Sequence, residues 1–401
     1  MDSPPAEVTS RWMPNQKAPN PLGGHNWPLQ SMRGLAALMV LLGHGMLLLD
    51  YRPAPALTSM FLQPNSAVLF FYVLSGYVLG ESLKRSTGGL AARSLGFAVK
   101  RLTRLLPVHW LAVLLGAGCY RLLWHKPIPR VNPWLGGMFD GWGSVTFENI
   151  RANILGLTVS MNGALWSVQV EIFVIPALIA LVALSRRIPL RSDAIVLALL
   201  SALALVLTDG PLKGTPWGFF GYLNCFYLGI LLPKLAERAR PLLASGPVTI
   251  VAMLGLLMGP LHGRMAISWS VKLLIDSFIS AQIIGFVLVS YTPSVRRFLS
   301  LRPLVWLGDV SYSFYAYGNA ILAVCALVVI ASVPPEWLAG GPKASLVIIA
   351  SITITLLVSL PLAWISYRWV EIPFMNLGRH MAGRLLSVPI TGSKELELST
   401  P

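Results

Sequence analysis

The chain is poor in charge, in cysteine and in acidic residues. Only 12% of its 401 residues are Asp, Glu, Lys or Arg, about half the roughly 25% of a soluble domain. With 55% hydrophobic residues gathered in long blocks, that excludes one large soluble core and implies a polytopic membrane protein. The three cysteines, Cys119, Cys225 and Cys325, are widely spaced in apolar stretches. They offer neither a metal spacing nor a disulfide framework and read as small buried hydrophobes. Acidic residues number 16 against 31 basic ones, for a formal net charge of +15. The basic residues are scattered among short loops, with no basic domain to grip a duplex. The excess therefore reads as positive-inside bias, with no nucleic-acid partner. No Gly-rich phosphate loop, zinc signature or internal repeat stands out, and no metal is expected.

What the chain has is apolar runs of about 16–25 residues, broken by charge or by Pro and Gly. They predict an all-α, polytopic membrane helical bundle of about ten transmembrane helices, at 30–49, 66–83, 104–123, 164–184, 193–208, 217–234, 244–261, 270–291, 309–331 and 344–367. Fifteen Lys and Arg residues fall in one set of alternate loops and seven in the other, which places both termini in the cytoplasm. An even span count agrees. The stretch 147–162 reads as a short interfacial or re-entrant helix, because an eleventh crossing would break that parity. Residues 1–28 form a polar, Pro-rich tail without the apolar core of a cleavable signal, 29–371 the membrane domain, and 372–401 a short cytoplasmic tail.

Ionisable groups inside spans are costly and usually functional. The first span, "RGLAALMVLLGHG", carries Arg33 and His44. Eleven residues separate them, about 16 Å of helix, and three turns plus about 20° put both on one face. Arg33 alone reads as a snorkelling anchor; His44, deeper, reads as a satisfied structural histidine or a general base. The second span holds "LFFYVLSGYVLG", with Phe70, Phe71, Ser75 and Gly76 as a small-residue packing site or an aromatic passage. In "KRLTRLLPVHW", Lys100, Arg101 and Arg104 gather just before Pro107, as a cytoplasmic anchor or a phosphate clamp. "ALWSVQVEIFVIP" sets Glu171 in apolar surroundings, where a carboxylate needs a partner, and Trp166 reads as a belt or passage residue. "WLGDVSYSFYAYGN" opens the ninth span with Asp309 and Tyr312, the former a cap or a site residue.

Together these segments resemble the acyltransferase 3 family, integral membrane O-acyltransferases that modify bacterial cell-envelope carbohydrates. Arg33 and His44 match its R-x(10)-H signature, and Phe70, Phe71, Ser75 and Gly76 resemble its F-F-x-x-S-G segment with one more residue between the aromatic pair and the serine. "KRLTRLLP" is similar to its R-R-x-x-R-L-x-P segment, with Lys100 for the first Arg. "LWSVQVE" matches L-W-S-x-x-x-E up to Glu171, and "SYSFY" and "VEIPF" resemble S-Y-S-x-Y and E-x-P-F. Two positions depart: Gly318 stands where many members carry a histidine, and Ile172 where many carry a second acidic residue.

The resemblance implies a stand-alone enzyme of the inner membrane, without the hydrolase-like domain fused to many relatives. Its donor is acyl-CoA, usually acetyl-CoA, arriving from the cytoplasm, and its acceptor a carbohydrate or glycolipid hydroxyl on the periplasmic side. On that basis Arg33, Lys100, Arg101 and Arg104 are expected to hold the donor's phosphates. His44 is expected to act as general base or transient acyl carrier, with Glu171 orienting the imidazole or holding the sugar, and Asp309 as a further catalytic candidate. Phe70, Phe71, Ser75, Trp166 and Tyr312 are expected to line the substrate passage. Buried Arg, His and Glu also suit a transporter or flippase of an envelope lipid or sugar.

Overall fold

In lipid a chain must satisfy its backbone N–H and C=O groups internally, and the apolar blocks accordingly fold as helices. The computed structural model describes residues 27–51, 64–85, 89–123, 132, 145–257, 267–290 and 292–387. It is 84% helical, with no strand among the described residues. The helices are α1 (Trp27–Gly45), α2 (Pro64–Arg85), α3 (Leu90–Leu123), α4 (Phe147–Ile154), α5 (Trp166–Phe173), α6 (Ile175–Ser185), α7 (Leu190–Leu207) and α8 (Leu223–Arg238). There follow α9 (Gly246–Leu257), α10 (Trp269–Val289), α11 (Pro293–Leu299), α12 (Arg302–Asp309), α13 (Ser311–Ala331), α14 (Gly341–Ser366) and α15 (Ile372–Ser387).

Seven of the described helices are long and apolar enough to cross a membrane, or eight if α5 and α6, bent by 46°, form one span. The sequence predicts ten. The difference lies in α1, whose apolar content is diluted by Gln30, Ser31, Arg33 and His44, and in α9, which has only 12 residues.

One further expectation is corrected. The third helix starts at Leu90 rather than 104 and runs for 34 residues, about 51 Å, well beyond a hydrocarbon core of about 30 Å. Within the expected C-terminal tail, residues 372–387 are helical and continue the last long helix. A π-helical turn, Tyr367–Glu371, carries α14 on into α15, which packs along α3: a Cβ on Gly378 would collide with the Thr103 hydroxyl, and one on Gly96 would touch Ala382. The expected N-terminal tail up to residue 26, and residues 388–401, lie outside the described residues.

The stretch 147–162 forms the eight-residue α4, capped by the Thr146 hydroxyl accepting from Asn149 N. At about 12 Å it is too short to cross. It is tied to α3 through His109 Nε2, 2.8 Å from the Asn153 carbonyl oxygen.

Glycine sets the closest helix approaches. In the α2–α8 pair, a Cβ on Gly76 would strike the Phe226 carbonyl and one on Gly229 the Val73 carbonyl. α1 meets α12 where Gly34 lies against the backbone of Gly308, and meets α2 where Gly43 lies against the Pro64 ring. These contacts fix the register. α1 runs antiparallel to α2, which brings Arg33 level with Ser75, and parallel to α13, which lies one short turn beyond Gly308. Apolar side chains fill the space in three buried clusters, around α2, α8 and α10, around α1, α13 and α14, and between α3, α5 and α13.

Backbone atoms cannot yield as a side chain can, so an added methyl at the α2–α8 crossing must push the helices apart. Gly76→Ala is expected to destabilise the protein by about 1–3 kcal/mol, read as a lower midpoint of thermal unfolding in detergent. Alanine at Gly383, where a Cβ meets nothing within 4 Å, should leave the midpoint unchanged.

Candidate functional site

Three helices meet at an ion pair and its neutral partner in the interior. α2 contributes Ser75, α3 contributes Arg101 and Arg104, and α5 contributes Glu171. Arg101 pairs with Glu171 Oε2 through a short contact, both side chains at least 85% buried. The Ser75 hydroxyl donates to the other carboxylate oxygen at 2.9 Å. Glu171 thus receives one charged and one neutral hydrogen bond, which compensates its removal from water.

Around this pair opens a cavity lined by Arg33, Phe71, Tyr72, Ser75, Arg101, Arg104, Ser167, Glu171, Ser311, Tyr312 and Tyr315, with aliphatic neighbours. Pro107 breaks the hydrogen-bond ladder of α3 here, and the Tyr312 hydroxyl donates to the nearby Leu105 carbonyl at 2.6 Å. Arg33 is held only by a long bond of 3.4 Å to Gln30 Oε1. Among the described residues no carboxylate lies within ion-pair distance of Arg33 or Arg104. The three guanidinium groups facing the cavity outnumber the two carboxylates within electrostatic reach, Glu171 and Glu371, and the net positive charge is suited to an anion.

Eleven residues along α1, His44 Nδ1 lies 2.9 Å from Asn319 Oδ1 on α13. The pairing is consistent with the register: Gly34 abuts Gly308, and His44 lies ten residues beyond Gly34 while Asn319 lies eleven beyond Gly308. With Nδ1–H donating to the amide oxygen, the tautomer places the basic lone pair on Nε2. His44 does not line the cavity.

Of the residues singled out in the sequence, the cavity joins Arg33, Phe71, Ser75, Arg101, Arg104, Glu171 and Tyr312. The others lie elsewhere. Phe70 points into the core at 7% exposure. Lys100 is exposed on α3. Trp166 packs edge-on against Tyr72, with ring centroids 6.4 Å apart. Asp309, at the end of α12, accepts a hydrogen bond from Gln30 Nε2 at 2.8 Å and latches α12 to α1 outside the cavity. Glu171 is bound to Arg101 and Ser75, and His44 is bonded to Asn319.

Two polar groups escaped the sequence reading. Asn319 follows Gly318, the position of the missing family histidine, and nothing local marks it. Glu371, 2% exposed, accepts from Ser313 Oγ at 2.5 Å and Ser313 N at 3.2 Å. The segments S-Y-S-x-Y and E-x-P-F are thus bonded to one another, and Glu371 lies within electrostatic reach of Arg33 and Arg104. That the two segments are both polar and both set in apolar runs was the available signal.

A family model described as an acyltransferase domain matches residues 28–368. No curated protein and no solved structure matches the chain.

Arg101→Ala strips the buried Glu171 of its cation and is expected to cost about 3–5 kcal/mol, measured by thermal unfolding in detergent. The double variant Arg101→Ala, Glu171→Gln, which removes the stranded charge, should recover a substantial part of that loss.

Proposed function

This chain belongs to the acyltransferase domain family, and on that premise we propose that it is a membrane-bound O-acyltransferase of the inner membrane. The acyl group, most simply acetyl, comes from acyl-CoA on the cytoplasmic side. It passes to a hydroxyl of an envelope or exported carbohydrate or glycolipid.

One observation carries the reading: Arg33 and Arg104 face a cavity without carboxylate partners, and the helix that carries Arg33 sets His44 against Asn319 about 16 Å further on. The nucleotide and phosphates of CoA are anionic and do not enter lipid cheaply; Arg33 and Arg104 suit them. Lys100, exposed one residue before Arg101, adds charge at the mouth. The uncharged pantetheine arm is long enough to extend along α1 toward His44.

In the reaction, His44 Nε2 takes the proton of the acceptor hydroxyl as its oxygen attacks the thioester carbonyl. The C–S bond breaks, CoA leaves as the thiolate, and the imidazolium returns its proton to the thiolate. Asn319 keeps Nε2 turned toward the reacting atoms. Arg101 and Glu171 act by holding α2, α3 and α5 around the donor.

His44→Ala is expected to abolish transfer from labelled acetyl-CoA to envelope carbohydrate in isolated membranes, with the protein still inserted at wild-type abundance. Arg104→Ala should raise the donor KM about 10- to 100-fold, the value of one or two hydrogen bonds to a charged group, with kcat little changed. Asn319→Leu should do the reverse, lowering kcat with donor KM kept. Wild-type transfer in His44→Ala would overturn the assignment. Label that stays on CoA throughout would favour transport.

A further inference from the structure

Tyr72 lies between the cationic cavity and the wall of a second cavity. Its ring lines the cationic cavity, and it also packs against Trp166 and against Tyr222, with centroids 6.4 and 5.5 Å away. Trp166 and Tyr222 are themselves in contact at 5.7 Å, and together with Trp269 they line a second cavity. Asn65, Gln169 and Lys213 supply its polar groups.

The second cavity lies at the other end of the bundle. Asn65 opens α2 beside Pro64, which abuts Gly43, next to His44. Trp166 begins α5, Lys213 follows the end of α7, Tyr222 precedes α8 and Trp269 begins α10. The backbone N–H of Ser270 donates to Asp209 Oδ2 at 2.9 Å, which pins the α7–α8 connection to the start of α10. Five chain segments therefore meet at the His44 level, away from Arg33 and the Arg93, Arg186 and Arg187 cluster of the opposite end.

The lining chemistry narrows the occupant. Half-buried aromatic rings present flat apolar faces, and two amides and an ammonium stand among them. A lipid tail would set hydrocarbon against the exposed Asn65 and Lys213 side chains, whereas the Gln169 amide already donates to the Gly156 carbonyl at 2.8 Å. A nucleotide diphosphate would find a single cation. A sugar ring meets both demands, with C–H faces for the rings and hydroxyls for Asn65 and Lys213. We propose that this second cavity binds a sugar residue of the acceptor, with Trp166, Tyr222 and Trp269 as its stacking wall and Asn65 and Lys213 as its hydroxyl partners. This assignment rests on the acyl-transfer reading and adds to it the place where the acceptor docks.

The test uses the full chain in lipid nanodiscs. The probe is the envelope polysaccharide of cells lacking the gene, stripped of acyl groups with mild alkali. Binding is followed by tryptophan fluorescence, and transfer with labelled acetyl-CoA. Trp269→Ala and Asn65→Ala should each weaken polysaccharide binding and raise its KM at least tenfold. Trp269→Phe, which keeps an aromatic face, should stay within threefold. The KM for acetyl-CoA should be unchanged in all three, which also reports that each variant is folded.

Wild-type polysaccharide affinity in both Trp269→Ala and Asn65→Ala would overturn the proposal, as would no binding by the wild-type chain. Binding that is lost in the variants while the wild-type chain transfers no acyl group would sustain the cavity assignment and sink acyl transfer. Transfer with an unaltered polysaccharide KM in the variants would do the opposite.

Discussion

A guanidinium group inside an apolar bundle must meet a carboxylate or open onto a polar cavity, because low dielectric makes an isolated charge untenable. Arg101 takes the first course and Arg33 and Arg104 the second. The Arg101–Glu171 pair, with the Ser75 hydroxyl as third member, ties α2, α3 and α5 to one point. The cavity forms around that point. Had Glu171 been free to neutralise Arg33 or Arg104, the cavity would have lost its charge. Arg101 consumes it, and Glu371 offsets only part of the charge on Arg33 and Arg104, so net positive charge remains at the cavity.

The second constraint is steric. Gly34 and Gly308 let α1 approach the start of α13 at backbone distance, and the Gln30–Asp309 bond latches the same crossing. From that crossing α1 and α13 run in parallel, and ten residues along the one and eleven along the other bring His44 and Asn319 together. Asp309 thus serves the site through register, well away from the cavity itself.

How much of this was legible depended on whether the information was local. The Arg33–His44 face followed from helical period alone, since both residues share one helix. Arg101 and Glu171 each stood out as a charge in an apolar run, but their pairing spans 70 residues and only folding shows it. Asn319 could not be seen, because an amide in a helix carries no signature until a partner is placed opposite. Glu371 sat in a recognised segment, yet its role became visible only when Ser313 was found bonded to it. α15 was missed for a different reason. Its polar residues, Asn376, Arg379, His380 and Arg384, concealed Gly378 and Ala382, whose small size lets it lie against α3.

The position of Phe71 and Tyr315 decides what the fold must do for the proposed chemistry to proceed. On α2, Phe71 lies one turn beyond Ser75 toward Pro64; on α13, Tyr315 lies one turn before Asn319. Their rings meet edge to face at 6.0 Å, between the cationic cavity and the level of His44. The Tyr315 hydroxyl is anchored at 2.9 Å to the Ala164 carbonyl and at 2.8 Å to Ser167 Oγ, whereas Phe71 is held by packing alone. On the acyl-transfer reading, a donor arm seated in the cavity meets this pair before it meets the histidine. Rotating a phenyl ring costs a few apolar contacts, while moving Tyr315 breaks two hydrogen bonds to α5 and its approach. The phenylalanine is therefore the side of the constriction that yields, and the tyrosine the side against which an extended arm is aligned.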